Sequence, residues 1–290
     1  MPDTTPRYVL VTGASRGLGR DMALHLARHD FEVLAGVRSA ADGNRLAAEA
    51  GAALHPVRLD VTERRSIEAA TQQVAKLTGE TGLAGLVNNA GIASFGPLEQ
   101  QPMQRFEEIF RVNVFGVQAL TQALLPALRR ARGRVVNISS GNGKLVMPFT
   151  GAYCASKFAL EALSDALRME LAPWRMHVVV VEPGAMSTEI RLRAVDEWAA
   201  ANAALPEADQ PLYASQLAAV SGAILGMEAG VGPARDISEA VLRALTDPEP
   251  KTRYPVGPHM DTLEALAAMP DRERDHIAMG ILGLAGSSPA

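Results

Sequence analysis

Residues 12–19 read Thr-Gly-Ala-Ser-Arg-Gly-Leu-Gly. They follow a short β-branched run, Arg-Tyr-Val-Leu-Val-Thr at 7–12, and open a helical pattern with apolar Leu18, Met22, Leu24 and Leu26. No other stretch narrows the choice of fold so far. Glycines at 13, 17 and 19 let the backbone turn sharply and come close to a pyrophosphate, and the amides of a helix N-terminus attract that anion. A strand, a glycine turn and a helix in that order predict the first βα unit of a parallel sheet that binds a dinucleotide at its strand ends.

The rest of the chain repeats the alternation. Further apolar strands are expected at about 32–38, 54–59, 83–87, 134–139, 177–182 and 252–256. Helical periodicity covers about 63–78, 103–131, 152–172 and 236–246, with Pro126 expected to kink the second of these and Pro173 to stop the third. Strands that alternate with helices and are apolar throughout predict an α/β fold: a doubly wound, Rossmann-like parallel sheet of about seven strands covered by helices on both faces. Residues 185–237 are alanine-rich and weakly periodic, which suits a lid over a site, and 257–290 read as a helical C-terminal extension. No repeat, low-complexity tract or linker divides residues 1–290, so a single domain is expected.

Composition excludes several functions. The net charge of −4 gives no basic footprint for nucleic acid. The lone cysteine, Cys154, allows no internal disulfide and reads as a buried inert thiol. No signal peptide and no apolar run of membrane-spanning length is visible, so a cytoplasmic location is expected; 277–285 are apolar but short, fitting helix packing or a membrane-surface contact. His25 and His29 have ligand spacing on a helix, but no third ligand is evident and no metal is expected.

Several residues carry chemistry. The second strand ends in Val37-Arg38-Ser39, where a dinucleotide site for an unphosphorylated ribose would place a carboxylate. Arg16 lies inside the glycine turn, so two guanidiniums near that corner suit a 2′-phosphate and predict NADP(H), with NAD(H) as the alternative. Asp60 either caps the next helix or holds an adenine amino group. Asn88-Asn89-Ala90-Gly91 close the fourth strand, and Asn113 interrupts an apolar helix face. Tyr153 and Lys157 lie one helical turn apart, where an ammonium can lower the phenol pKa and create a tuned acid/base.

Taken together, Thr12-Gly-x-x-x-Gly17-x-Gly19, Asp60, Asn88-Asn-Ala-Gly91, Asn113, Ser140, Tyr153-x-x-x-Lys157, Pro183-Gly184 and Thr188 resemble the short-chain dehydrogenase/reductase family over about residues 7–190. The resemblance implies that Tyr153 exchanges a proton with the substrate oxygen and that Lys157 acidifies it and binds the nicotinamide ribose. Ser140, thirteen residues before Tyr153, would hydrogen-bond the substrate carbonyl; Ser139 lies fourteen before. Asn113 would support a water-mediated proton relay. The implied cofactor contacts are Gly13, Ser15, Arg16, Gly17, Leu18, Gly19, Arg38, Asp60, Val61, Asn89, Ala90, Gly91, Tyr153, Lys157, Pro183, Gly184, Met186 and Thr188. The sequence around 252–259 is similar to members acting on steroid-, retinol- or lipid-like alcohols, which implies an apolar small-molecule substrate. Homo-oligomerisation as a dimer or tetramer is expected, although members with such tails can lose the tetramer. The expected reaction interconverts a ketone or aldehyde and an alcohol. Other readings are a non-catalytic cofactor sensor, or an epimerase or dehydratase on the same scaffold.

Overall fold

The computed structural model describes residues 5–184, 196, 199–200, 203, 205, 207, 210–226 and 232–284. Seven strands form one parallel sheet: β1 (Arg7–Thr12), β2 (Phe31–Val37), β3 (Leu54–Arg58), β4 (Gly85–Asn88), β5 (Arg134–Ile138), β6 (Val178–Pro183) and β7 (Arg253–Val256). Their order is β3-β2-β1-β4-β5-β6-β7. Every pair is parallel, with Val9 opposite Val33 on one side and Gly85 on the other.

Because successive strand side chains point to opposite faces, a sheet covered on both sides needs apolar residues at every position. Val9, Val11, Val33, Ala35, Val136, Val179 and Val181 join one core. It includes Met22 and Leu26 of α1 (Gly17–Ala27), Leu46 of α2 (Ala40–Ala50), and Ile237 and Val241 of α8 (Ala234–Thr246). Leu10, Leu34, Leu86, Val135 and Val178 point the other way. There they meet Ile67 and Val74 of α3 (Arg64–Thr78) and Leu120, Leu124 and Leu128 of α5 (Val117–Ala131). Each such side chain contributes roughly 1.5–3 kcal/mol when fully buried.

Two elements differ from expectation. The pattern at 103–131 is not one helix: α4 (Met103–Phe110) passes through a wide π-helical turn at Arg111–Gly116 before α5 begins. Gly116 permits this, since a Cβ there would stand 2.6 Å from the Val61 carbonyl oxygen. The second is α2, whose small and polar sequence left no apolar stripe to read.

The chain continues through α6 (Gly151–Leu171), α7 (Ala214–Gly226), α9 (Met260–Ala267) and α10 (Asp271–Ile281). Most of the expected lid lies outside the described residues, and Met186 and Thr188 with it. The described α7 packs through Leu217 and Val220 against Phe95, Phe149 and Leu282. No helix among the described residues is long and apolar enough to cross a membrane.

The strand order reverses at β1 and β4. Loops leave the carboxyl ends of those strands in opposite directions, which opens a crevice where ligands bind in sheets of this type.

Candidate active site

The turn from β1 into α1 forms one wall of the crevice. Gly13 and Gly17 take positive φ values of 65° and 53°, a region that L side chains rarely adopt. Gly19 is needed for space, because a Cβ there would lie 2.2 Å from the Gly13 carbonyl oxygen and 2.5 Å from Asn89 Nδ2. A Cβ at Gly17 would meet nothing within 4 Å, so this part of the turn faces open space. Arg16 at the helix N-cap makes no side-chain capping bond, and the first turn of α1 holds no acidic residue. Its leading amides are therefore not matched by side chains, as an anion-binding helix end requires.

Thr12 fastens this wall to β4. Its hydroxyl accepts hydrogen bonds from the Asn89 and Ala90 N–H groups, each at 2.9 Å. Asn89 Nδ2 in turn donates to the Thr12 carbonyl at 2.8 Å. The Asn89 side chain thus shapes the cradle from beneath. Ser15 and Leu18 are half-buried in the turn.

Arg16 and Arg38 are exposed, and neither guanidinium meets a carboxylate among the described residues. Asp60 does not cap α3: its Oδ1 accepts from the Thr62 N–H at 2.9 Å and the Thr62 hydroxyl at 2.7 Å, and Glu63 is the N-cap residue. Val61 is buried in the core between α3 and α5. These features fit a dinucleotide: open space at Gly17, uncapped amides at α1, and two unpaired cations at the adenosine corner.

The second wall brings Ser140, Tyr153 and Lys157 together. Lys157 lies one turn beyond Tyr153 on α6, and Ser140 follows β5. The Ser140 hydroxyl lies close enough to the Tyr153 phenol to act on its ionisation. Ser140 also accepts from the Asn142 N–H at 3.1 Å, which fixes its orientation. Ser139 is distinguished from it by placement: its buried hydroxyl has no partner among the described residues. The serine thirteen residues before Tyr153 is therefore the one that reaches the phenol.

The Lys157 ammonium donates to the Ile138 carbonyl at 2.8 Å and sits 5.7 Å from the centre of the Tyr153 ring. Burial brings it down to about 8, with the Glu161 carboxylate acting in the opposite sense. Burial pushes the Tyr153 phenol up to about 12; the Ser140 hydroxyl opposes this and the Cys154 thiol adds to it. The Lys157 ammonium is turned to the β5 carbonyl, and desolvation of a phenolate is the largest influence on Tyr153 in the protein alone.

Asn113 belongs to the π turn and is buried. Its Oδ1 accepts from the Ile92 N–H at 2.9 Å, and its Nδ2 donates to the Ile92 carbonyl at 2.8 Å and to Ser156 Oγ at 3.0 Å. Gly91 stands between Asn113 and Lys157, its missing Cβ lying 3.4 Å from Asn113 Oδ1 and 3.9 Å from Lys157 Nζ. The wide turn thus brings Asn113 to the far side of the β4 loop from the lysine. Pro183 and Gly184 end β6, where the Gly184 N–H donates to the Val256 carbonyl at 2.9 Å.

Three arrangements were not read from the sequence, although Asn88 itself was. Asn88 donates to Asn137 Oδ1 at 2.8 Å and to Thr121 Oγ1 at 3.1 Å, and Asn137 donates to Ser164 Oγ at 2.8 Å. This buried chain ties β4 and β5 to α5 and α6; its signal was two asparagines within otherwise apolar strands. The second group is the α9 wall: a Cβ at Gly141 would lie 2.8 Å from Leu263 Cδ1, and one at Gly184 2.9 Å from Met260 Sδ. The third is aromatic. Phe149, held at a φ of 64°, has its ring 6.2 Å from Phe95 and 6.1 Å from Tyr213. Neither of these last two has a local sequence signature. Among the described residues no three His, Cys, Asp or Glu side chains converge as a metal site.

Residues 7–198 match the family model described as short chain dehydrogenase. Retinol dehydrogenase 5 of Mus musculus is 37% identical over 257 residues, covering 86% of this chain and 80% of that protein. The NADPH-dependent 3-dehydrocapnine reductase of Ornithobacterium rhinotracheale is 32% identical over 277 residues, covering 93% and 95%. A crystal structure of a short-chain dehydrogenase from Streptomyces avermitilis superposes with a TM-score of 0.77 at 29% identity, covering 91% of this chain and 92% of that one. The chain belongs to the short-chain dehydrogenase/reductase family. It is an oxidoreductase of that family, and the family's cofactors are nicotinamide dinucleotides.

Proposed function

We propose that the protein interconverts a ketone or aldehyde and an alcohol on an apolar substrate, with NADP(H) as the preferred cofactor. A bound nicotinamide supplies hydride to, or takes it from, the reacting carbon. The chain's own residues manage the oxygen. Ser140 donates a hydrogen bond to it, and Tyr153 gives or takes its proton. Lys157 contributes a positive charge beside the phenol and a donor for the nicotinamide ribose. Asn113 holds the β4 loop against that lysine and is placed to support proton exchange behind it. The observation that carries this reading is the Ser140 hydroxyl set beside the buried Tyr153 phenol, one helical turn from a buried ammonium.

Burial raises the Tyr153 phenol, so it carries its proton at physiological pH and can donate it to a substrate oxygen in the reductive direction. An apolar substrate is supported by Met147, Phe149, Phe95 and Leu217, which pack together beside the loop leading into α6. The preference for NADP(H) is supported by the free guanidiniums of Arg16 and Arg38, and by the NADPH dependence in the name of the Ornithobacterium relative.

The test is a panel of apolar ketones and aldehydes, read by nicotinamide absorbance with NADPH and with NADH. The expected result is turnover with a preference for NADPH of tenfold or more. Replacing Arg16 and Arg38 together by alanine should abolish that preference, consistent with about 1.5–3 kcal/mol for a charge-assisted hydrogen bond. Equal rates with the two cofactors in the wild type would overturn the cofactor assignment. Absence of oxidation or reduction across the panel would overturn the reaction.

A further inference from the structure

Directly behind the Ser140 turn lies a buried charge cluster to which the chemistry above assigns no part. Glu161 of α6 and Glu182 of β6 have side chains only 7% and 1% exposed. Lys144, at the end of the Gly141–Gly143 turn, places its ammonium 3.7 Å from Glu161 Oε2 and 3.7 Å from Glu182 Oε1. Arg253 of β7 reaches the same two carboxylates, at 3.0 Å to Glu161 Oε2 and 3.3 Å to Glu182 Oε1, and also Asp165 Oδ1 at 2.8 Å. Glu264 of α9 acts electrostatically on Glu182, and Glu161 acts on Lys157.

Lys144 and Arg253 thus serve the two buried carboxylates directly, while Asp165 also pairs with Arg168 and Glu161 also interacts with Lys157. Among the described residues, Glu161 Oε1 and Ser139 Oγ lie in the interior with no hydrogen-bond partner, and Glu182 Oε1 has ion pairs but no hydrogen bond. Gly143 packs between the first two: a Cβ there would lie 2.8 Å from Ser139 Oγ and 3.3 Å from Glu161 Oε1. Buried like charges with unmatched oxygens are expensive, and a single proton on the pair removes most of that penalty. The cluster holds the far end of the turn that follows Ser140, through Lys144. Lys144 closes that turn through its N–H to the Gly141 carbonyl at 3.0 Å, and Gly143 donates to the Ser140 carbonyl at 2.8 Å.

We infer that Glu161 and Glu182 are positioning residues which, through Lys144 and Arg253, hold the Ser140 turn against Tyr153, and that this arrangement needs one proton on the carboxylate pair. The inference deepens the proposed function and rests on it for its kinetic part. Burial and the neighbouring Glu161 push the Glu182 carboxyl up to about 7, while Lys144 and Arg253 oppose them and Glu264 adds to the rise. A carboxyl raised on folding contributes stability that is complete below its unfolded value of 4.5 and is lost as pH rises through about 7. Deprotonation near neutrality therefore loosens the fold at the turn that carries the catalytic serine.

The experiment uses the NADPH-loaded protein and compares wild type, Glu182→Gln and Lys144→Met between pH 5 and 9. Thermal unfolding is the first readout. Wild type should lose about 3 °C or more as pH rises through 7. Glu182→Gln should show little of that loss, and Lys144→Met should shift it to higher pH because a stabilising cation is gone. The second readout is kcat for a ketone reduced by the wild type. It should fall at least threefold across the same interval and stay near its low-pH value in Glu182→Gln, with cofactor Kd unchanged. The Lys157 ionisation near 8 is common to both proteins and cancels in the comparison.

Superimposable unfolding profiles for wild type and Glu182→Gln would overturn the shared proton. Altered unfolding with identical kcat profiles would overturn the positioning role and leave a purely structural one. If Glu182→Gln does not fold, the direction of the Lys144→Met shift decides. Absence of any turnover by the wild type sinks the proposed reaction, while the unfolding profiles still decide the proton.

Discussion

On the β1–β4 side of the crevice, neutral groups hold backbone to backbone: Thr12 accepts two amides, Asn89 donates back, and Asn113 pairs with both polar groups of Ile92. On the β5–β6 side, the Ser140 turn stands on ion pairs from Lys144 and Arg253 and against apolar side chains of α9. The first wall is held by short, local hydrogen bonds between neutral groups. The second is held by titratable side chains drawn from distant parts of the chain. Local backbone locks and long-range ion pairs are thus divided between the two ends of one sheet.

Substitutions of the same chemical kind on the two sides sharpen this contrast. The largest effect is expected for Gly19→Val, whose side chain would enter the space of the Gly13 carbonyl and Asn89 amide. Cofactor affinity, measured by quenching of protein fluorescence, should fall at least 100-fold; affinity within threefold of wild type would break the picture of a rigid cradle. Thr12→Val should be intermediate. It leaves the Asn89 and Ala90 amides without their acceptor, at about 1–3 kcal/mol for an unsatisfied buried donor, and urea unfolding should report that loss. A variant as stable as wild type would show that the lock is dispensable. Gly141→Ala should be mildest, because the added methyl meets the flexible end of Leu263. Here KM for bulky ketones should change severalfold with cofactor affinity constant. A loss of cofactor binding would erase the distinction between the walls.

The same division decides what the sequence discloses. The cradle is local: Thr12 to Gly19 are contiguous, and glycine reports a backbone constraint directly in its identity. Strands and their two-sided burial were legible for a similar reason, since both faces of β1, β2, β5 and β6 are apolar. Tyr153 and Lys157 were found by helical spacing, but the desolvation of the phenol was not, because it depends on everything packed around it. The wide turn at Asn113 was hidden, since one π turn barely disturbs a three-to-four spacing of apolar residues. The α9 wall and the Glu161–Glu182 cluster join residues that lie far apart in the chain. Lys144, Glu161, Glu182 and Arg253 read singly as solvated charges, and only the crossing of β5, β6, β7 and α6 makes them neighbours.

The central claim is that Tyr153 moves the proton at the substrate oxygen. Single-turnover reduction of a ketone by NADPH-loaded Tyr153→Phe tests it most directly, with cofactor affinity measured on the same sample. The account predicts affinity within about twofold of wild type and a rate lower by about 10²–10⁴-fold, the usual contribution of a positioned acid. A rate within tenfold of wild type, with cofactor bound, would contradict it.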